Sequence, residues 1–125
     1  MRQVIATEHA PKAIGPYSQA IRANGLIFVS GQTPIDPATQ QLINGSIGEQ
    51  TERVLRNIEA ILTQAGSSMA KVVRCGVFLK DMSDFTAMNE VYGKFFKSEP
   101  PARTTIQAAK LPKDCMVEID AIALE

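Results

Sequence analysis

Short alternating runs of apolar and polar residues near both ends of the chain predict β-strands. Two weak strands are predicted at residues 2–6 and 18–23, and a third, LIFVS, follows the Asn24-Gly25 pair. Asn-Gly between two such runs is the strongest short signal of a β-hairpin. TEHAPKAIGPY and GQTPIDPATQQLING are rich in turn residues, so both are predicted to be loops. The second loop is long for a compact domain, and long loops are often functional.

Two segments with helical spacing of their apolar residues follow. The first begins at a capping box, Ser46-x-x-Glu49, and is expected to end with Gly66 as the residue after its cap. Its apolar stripe consists of Val54, Leu55, Ile58, Ile61, Leu62 and Ala65. The second helix is predicted from about Ser83 to Lys97, and Pro100-Pro101 stop it. Its buried side consists of Phe85, Met88, Tyr92, Phe95 and Phe96.

The remaining strands flank the second helix. KVVRCGVFLK alternates, which predicts a strand with one apolar face made of Val73, Cys75, Val77 and Leu79. The last two strands, TTIQAA and CMVEIDAIA, are joined by the turn LPKD. The element order is therefore β-β-β-α-β-α-β-β. This order favours a single α+β domain, residues 1–125, with a mixed sheet and both helices on one of its faces.

The sheet face away from the helices is predicted to be half apolar and half charged. The period of two places Val117, Ile119, Ala121 and Ala123 toward the helices, and Met116, Glu118, Asp120, Ile122 and Leu124 away from them. Phe78 is expected on the same outer face. On the preceding strand, Arg103, Thr105 and Gln107 share one face. A monomer would expose this apolar area to water, so the sequence predicts an oligomer with Arg103 and Glu118 near its seams.

Composition excludes several classes of function. Thirteen basic and thirteen acidic residues cancel, so no electrostatic attraction to nucleic acid is expected. No apolar run reaches the length of a membrane span or of a signal peptide. Cys75, expected in the core, and Cys115, expected in a strand near a turn, suit a reducing compartment. We therefore expect a cytoplasmic protein, or an organellar one without its presequence. With His9 as the single histidine and no glycine-rich phosphate loop, no metal site and no cofactor are expected.

Four blocks of the sequence match a known pattern in order and spacing. The blocks are GPYSQA (Gly15–Ala20), VSGQTPIDP (Val29–Pro37), Met88-Asn89, and PPARTTIQ followed by LPKD and VEI. They resemble the RidA family, reactive intermediate deaminases that are also called YjgF-like. The resemblance covers essentially the whole chain, and the C-terminal block is the most specific. It implies a chorismate-mutase-like fold and a barrel-like homotrimer whose three sheets face inward. It also implies three clefts between subunits.

The implied activity is that of a 2-iminobutanoate/2-iminopropanoate deaminase. Such an enzyme hydrolyses 2-aminoacrylate, 2-iminobutyrate and related acids, released by pyridoxal-phosphate enzymes, to 2-keto acids and ammonia. By resemblance, Arg103 binds the substrate carboxylate through its planar fork, and Glu118 holds the attacking water. Both are expected on the sheet face away from the helices. The remaining site residues are Thr105 beside them, the backbone of Ser30 and Gly31, the ring of Tyr17, and Asn89 further out.

Each of these residues also has a purely structural interpretation. Arg103 can be a solvated or ion-paired surface group, and Glu118 can form a salt bridge with Arg103 or with a lysine across an interface. Tyr17 can be a loop anchor, Ser30 and Gly31 can serve strand geometry, and Asn89 can be a helix cap or a surface residue. The structure decides which contacts each of them makes.

Two other functions stay open at this stage. A non-catalytic sensor of small 2-keto carboxylates would use the same arginine and leave the water idle. An endoribonuclease or translation inhibitor has less support, because the net charge is zero and a histidine pair is missing. Many family members carry cysteine where this chain has Thr105, so functions of a reactive thiol at that position are discounted. The sequence does not indicate which imino acid is preferred.

Overall fold

The computed structural model describes all residues from Met1 to Glu125 and contains a mixed sheet covered by two helices. Its strands and helices are β1 Gln3–Ile5, β2 Ala20–Ala23, β3 Leu26–Gln32, β4 Ile35–Asp36, β5 Gln41–Leu42, α1 Ile47–Gln64, β6 Val72–Leu79, α2 Phe85–Phe95, β7 Ala102–Gln107 and β8 Val117–Leu124. Strands β4 and β5 form a small hairpin inside the segment that the sequence predicted to be a loop. Neither helix is both long enough and apolar enough to cross a bilayer.

The large sheet has the strand order β1-β2-β3-β8-β6-β7, so β7 lies at one edge. Strands β6 and β7 run parallel, and every other neighbouring pair is antiparallel. Helix α1 packs against β3, β8 and α2, and the core lies between the helices and the sheet. The α+β class, the order of the main elements and the placement of both helices on one face are confirmed.

Local signals in the sequence predicted the turns and the first helix correctly. Asn24 and Gly25 have φ angles of 53° and 78°, as the central residues of a tight hairpin turn require. The Ser46 hydroxyl accepts a hydrogen bond from Glu49 N (3.2 Å), and Ser46 N donates to Glu49 Oε1 (3.0 Å). Gly66, with φ of 81°, follows the helix cap at Ala65.

The apolar face predicted for β6 is wrong at its first residue. Val72 pairs with Ala123 and Arg74 with Ile122, so Val73 is an extra residue, a β-bulge. Val72 is therefore buried, whereas the Val73 side chain points outward and is 41% exposed. Strict alternation places Val73 in the core. That prediction fails because a bulge shifts the alternation by one residue, and the apolar pattern of the sequence contains no signal of the bulge.

The ends of the second helix and of the last strand also differ from the prediction. Met82–Asp84 form a 3₁₀ turn, in which Asp81 Oδ1 accepts from Ser83 N (2.8 Å), so α2 begins only at Phe85. Strand β8 begins at Val117 rather than at Cys115. Met116 therefore precedes the strand and packs against the core instead of sharing the face of Glu118.

The outer face of the sheet mixes apolar and charged side chains, as the sequence predicted. Cross-strand pairing places Phe78 beside both Ile106 and Glu118, and Phe28 beside Ile122. Phe28, Ile106 and Leu124 are each more than two-fifths exposed. Among them lies a polar cluster, in which Asp120 Oδ1 accepts a hydrogen bond from Gly76 N (2.8 Å) and lies 3.8 Å from Arg74 Nη1.

Candidate active site

The predicted site residues form two groups that lie on opposite faces of the sheet. In the parallel pair β6–β7, Arg103 lies beside Cys75 and Thr105 beside Val77, and the side chains of Cys75 and Val77 point into the core. Arg103 and Thr105 therefore face the helices. Glu118 faces away from them, because its strand neighbours Val117 and Ile119 are buried. The expectation that Arg103 and Thr105 lie on the same face as Glu118 is wrong, since the register of a parallel pair is not encoded in either strand alone.

Arg103 is held by one side of helix α2. Its Nη1 donates a hydrogen bond to Asn89 Oδ1 (2.8 Å). The carbon of the guanidinium group lies 4.7 Å from the centre of the Tyr92 ring and 5.5 Å from that of the Phe85 ring. Asn89 thus contacts the arginine itself, a role that the sequence did not suggest for it.

No acidic side chain pairs with Arg103, which takes part in none of the salt bridges of the structure. The arginine is also partly buried, so the interpretation as an ion-paired or solvated surface group does not apply. A partly buried guanidinium with only neutral partners leaves its charge available for an anion from outside the chain.

The two titratable groups packed next to Arg103, Tyr92 and Cys75, are uncharged. Burial raises the pKa of the Tyr92 hydroxyl, and the nearby Cys75 thiol raises it further. Burial likewise raises the pKa of the Cys75 thiol. Both groups are therefore neutral at physiological pH. The Tyr92 and Thr105 hydroxyls are buried without a hydrogen-bond partner.

Glu118 lies in a pocket of about 530 Å³ on the opposite face of the sheet. This pocket brings together Glu118 and three other predicted site residues. Its lining consists of Ile14, Tyr17, Ser30, Gly31, Thr33, Ile35, Pro112, Lys113 and Glu118. The residues come from the N-terminal loop, from the end of β3 and the start of β4, from the turn before β8 and from β8 itself. The Lys113 ammonium group, which the sequence reasoning did not single out, supplies the one basic side chain of the lining.

A break in the pairing of β3 with β8 shapes the floor of the pocket. The register shifts between Val29 and Gln32, which frees Ser30 and Gly31 from the regular ladder. Ser30 instead binds the N-terminal loop: its N donates to Gln19 O (2.9 Å) and its hydroxyl to Ser18 O (2.6 Å).

Gly31 has a specific steric role in this pocket. A Cβ atom on Gly31 would overlap Glu118 Oε2 and would lie 3.1 Å from Glu118 Cδ. Its φ lies outside the left-handed region, so the lack of a side chain matters for space rather than for backbone conformation. The glycine allows the Glu118 carboxylate to lie directly against the β3 backbone.

Tyr17 is both a loop anchor and a wall of the pocket. Its N donates to Gly15 O (2.9 Å) across a tight turn in which Gly15 has a φ of 114°. Its hydroxyl accepts from Ile14 N (3.3 Å). The ring is 51% exposed, so one of its faces stays available beside Glu118.

The Glu118 carboxyl has a raised pKa and no salt-bridge partner. Burial raises its pKa first, and the negative charge of Asp120, two residues along the same face, raises it further. The interpretation of Glu118 as one half of a salt bridge within the chain does not apply. A carboxyl group with a raised pKa and free lone pairs is a better proton acceptor than an ordinary carboxylate and can hold a water molecule.

The comparisons with known proteins agree on one family. The family model described as Endoribonuclease L-PSP matches residues 7–125. A RutC family protein of Pyrococcus horikoshii is 53% identical, with 98% of each chain covered. The human 2-iminobutanoate/2-iminopropanoate deaminase is 44% identical over the full length of this chain and 91% of its own. The crystal structure of E. coli TdcF with bound serine is 39% identical, covers 98% of each chain and superposes with a TM-score of 0.94.

Proposed function

Because the chain belongs to the Endoribonuclease L-PSP family, which is also called YjgF or RidA, we propose that it is a hydrolytic deaminase of small 2-imino acids. Its substrates in this proposal are 2-aminoacrylate and 2-iminobutyrate, and its products are the 2-keto acids and ammonia. The name of the human relative supports the reaction. The serine bound to the E. coli relative supports a site for a small molecule that carries a carboxylate.

The observation that carries the proposal is the separation of the two groups onto opposite faces of one sheet. Arg103 offers an unpaired guanidinium, and Glu118 offers an unpaired carboxyl with a raised pKa, yet one chain cannot bring them to the same ligand. Strand β7 lies at the sheet edge, where a neighbouring subunit can reach it. We therefore place each active site between two subunits of a homotrimer. The exposed apolar residues of the outer face are the surface that this assembly would cover.

In this site, Arg103 of one subunit binds the substrate carboxylate with two parallel hydrogen bonds, while Tyr17, Ser30 and Gly31 of the next subunit form the wall. Glu118 holds a water molecule against the imine carbon. As the water oxygen bonds to that carbon, Glu118 accepts a proton from the water and passes it to the nitrogen. The hydroxyl group of this adduct then loses its proton, which Glu118 passes to the nitrogen as the carbon–nitrogen bond breaks, so ammonia leaves and the keto group forms. Thr105, beside Arg103, borders the same cleft.

A sensor of small 2-keto acids is the second candidate, because the unpaired Arg103 explains binding without requiring turnover. Release of ammonia decides between the two functions. The enzyme releases ammonia and 2-ketobutyrate faster than spontaneous hydrolysis when a threonine dehydratase supplies the imine, whereas the sensor binds 2-ketobutyrate and leaves the rate unchanged. The location of the protein in the cytoplasm stays a prediction from the sequence.

The inter-subunit site is tested by mixing two inactive variants. Arg103→Ala and Glu118→Ala are each expected to be nearly inactive, and co-expression in one cell allows mixed trimers to form. If every cleft takes Arg103 and Glu118 from different chains, about a quarter of the clefts receive both native residues, and about a quarter of the activity returns. Light scattering establishes the mass of each preparation. Trimers that regain no activity on co-expression would refute the shared site.

A further inference from the structure

We infer that Phe85, Asn89 and Tyr92 form an uncharged clamp on helix α2 that orients Arg103 and leaves its positive charge free for the ligand carboxylate. The inference rests on the proposed function and adds positioning residues to that same site. None of the three side chains needs to touch the ligand. Their role is to fix the direction of the guanidinium group before a ligand arrives.

The spacing of the clamp follows from helix geometry. Phe85, Asn89 and Tyr92 are separated by four and three residues, so they lie on one face of α2. The two rings contact the guanidinium at 4.7 Å and 5.5 Å, and Asn89 Oδ1 accepts from Nη1 at 2.8 Å. A guanidinium group has five N–H donors, and these contacts use one of them. The remaining donors stay available for a carboxylate.

The neutrality of the clamp is as important as its geometry. An aspartate at position 89 would place a carboxylate against Arg103 and would compete with the ligand for the same charge. The amide of Asn89 offers an acceptor oxygen without that charge. The rings attract the cation through their faces, again without neutralising it. The clamp therefore restrains the arginine and leaves its charge unpaired.

The first experiment separates the ring of Tyr92 from its hydroxyl. Tyr92→Phe keeps the ring and its cation–π contact with Arg103, so the Kd for 2-ketobutyrate should stay within about twofold of the wild-type value. Tyr92→Leu removes the cation–π contact, which should raise the Kd about five- to tenfold. Phe96→Leu is the matched control, because Phe96 packs on Tyr92 at 4.7 Å between ring centres, whereas the cation–π contacts of Arg103 are with Phe85 and Tyr92. It removes a buried ring from the same cluster and should leave the Kd near the wild-type value.

The second experiment changes the charge at position 89. Asn89→Asp should weaken 2-ketobutyrate binding more than Asn89→Leu, although aspartate is closer in shape to asparagine. If Asn89 had a merely structural role, Asn89→Leu would weaken 2-ketobutyrate binding more than Asn89→Asp. This pair also decides the inference if Tyr92→Leu does not fold. Calorimetry measures the Kd for 2-ketobutyrate in both sets of variants. NMR measures the order of the guanidinium group without any ligand, through the signal of the Arg103 Nε–H group. This signal is assigned by its loss in Arg103→Lys.

The outcomes distinguish the clamp from the proposed function. If the wild-type protein binds no 2-ketobutyrate and releases no ammonia, the proposed function fails. The clamp is then judged by the NMR signal, which should broaden or exchange faster in Tyr92→Leu than in Phe96→Leu. If the wild-type protein binds the keto acid but Tyr92→Leu and Phe96→Leu weaken binding equally, or Asn89→Leu binds more weakly than Asn89→Asp, the clamp is refuted.

Discussion

Replacing Gly31 with alanine should inactivate the protein while leaving its fold almost as stable as before. The added Cβ would overlap Glu118 Oε2 and crowd Glu118 Cδ at 3.1 Å. The overlapped atom is the far end of a flexible, partly exposed side chain, so the carboxylate can rotate away. The substitution should therefore disturb the position of Glu118 far more than it disturbs the core.

The expected loss of folding stability is small, whereas the expected loss of catalytic rate is large. A side chain forced off its preferred rotamer costs about 0.5–1.5 kcal/mol. Replacing glycine by alanine in an allowed backbone conformation recovers about 0.4–1 kcal/mol through the unfolded chain. The net loss should be below about 1 kcal/mol, which lowers the Tm by only a few degrees. A displacement of about 1 Å at a reacting group, by contrast, can lower the rate about a hundredfold.

The assay combines thermal unfolding with ammonia release from imine that a threonine dehydratase generates. Gly93→Ala is the matched control, because Gly93 lies in the last turn of α2 and nothing lies within 4 Å of its added Cβ. It should raise stability by about 0.5–1 kcal/mol and leave the rate unchanged. In a Glu118→Gln background, Gly31→Ala should cost little further activity, because both changes act on one group. Full activity in Gly31→Ala, or strictly additive losses in the double variant, would contradict the role assigned to this pair.

Three further predictions concern single groups. Arg103→Lys keeps the charge but loses the planar fork, so the Kd for 2-ketobutyrate should rise about ten- to a hundredfold by calorimetry, corresponding to roughly 1.5–3 kcal/mol. Asp120→Asn removes a negative charge that raises the pKa of Glu118, so the pKa should fall. The rate should then persist to lower pH, because Glu118 acts as the carboxylate; a pH–rate profile that stays in place refutes this coupling. Ser46→Ala removes the cap of α1 and should cost about 1 kcal/mol in denaturant unfolding, with unchanged activity; a loss of activity at matched folding would show that the helix end affects the site.

The sequence predicted the fold well wherever a short segment determines its own structure. Asn24-Gly25 selects its turn by backbone conformation, and the Ser46–Glu49 pair satisfies a helix end within four residues. The bulge at Val73 escaped prediction because it depends on how β6 pairs with β8. The apolar pattern alone cannot show which residue a strand leaves unpaired.

The candidate site was predicted residue by residue but not in its arrangement. The pocket does gather Tyr17, Ser30, Gly31 and Glu118. The face of Arg103 was predicted wrongly, because it depends on the parallel register between β7 and β6. These two strands are distant in the sequence and share no local signal. Asn89 was predicted only as an outer residue of the site, whereas Phe85 and Tyr92 were visible as part of the apolar stripe of the second helix. Its contact with an arginine was not, since apolar stripes are ordinarily core.

The placement of Arg103 and Glu118 on opposite faces has a consequence for how the protein behaves on dilution. A separated subunit has both groups but no complete site. In the proposed trimer, activity per chain should therefore fall as the total protein concentration drops below the dissociation constant of the assembly. The surviving trimers would keep the same KM, so the decline would appear entirely in the apparent kcat. Catalytic capacity would then depend on the cellular abundance of the chain more steeply than in direct proportion.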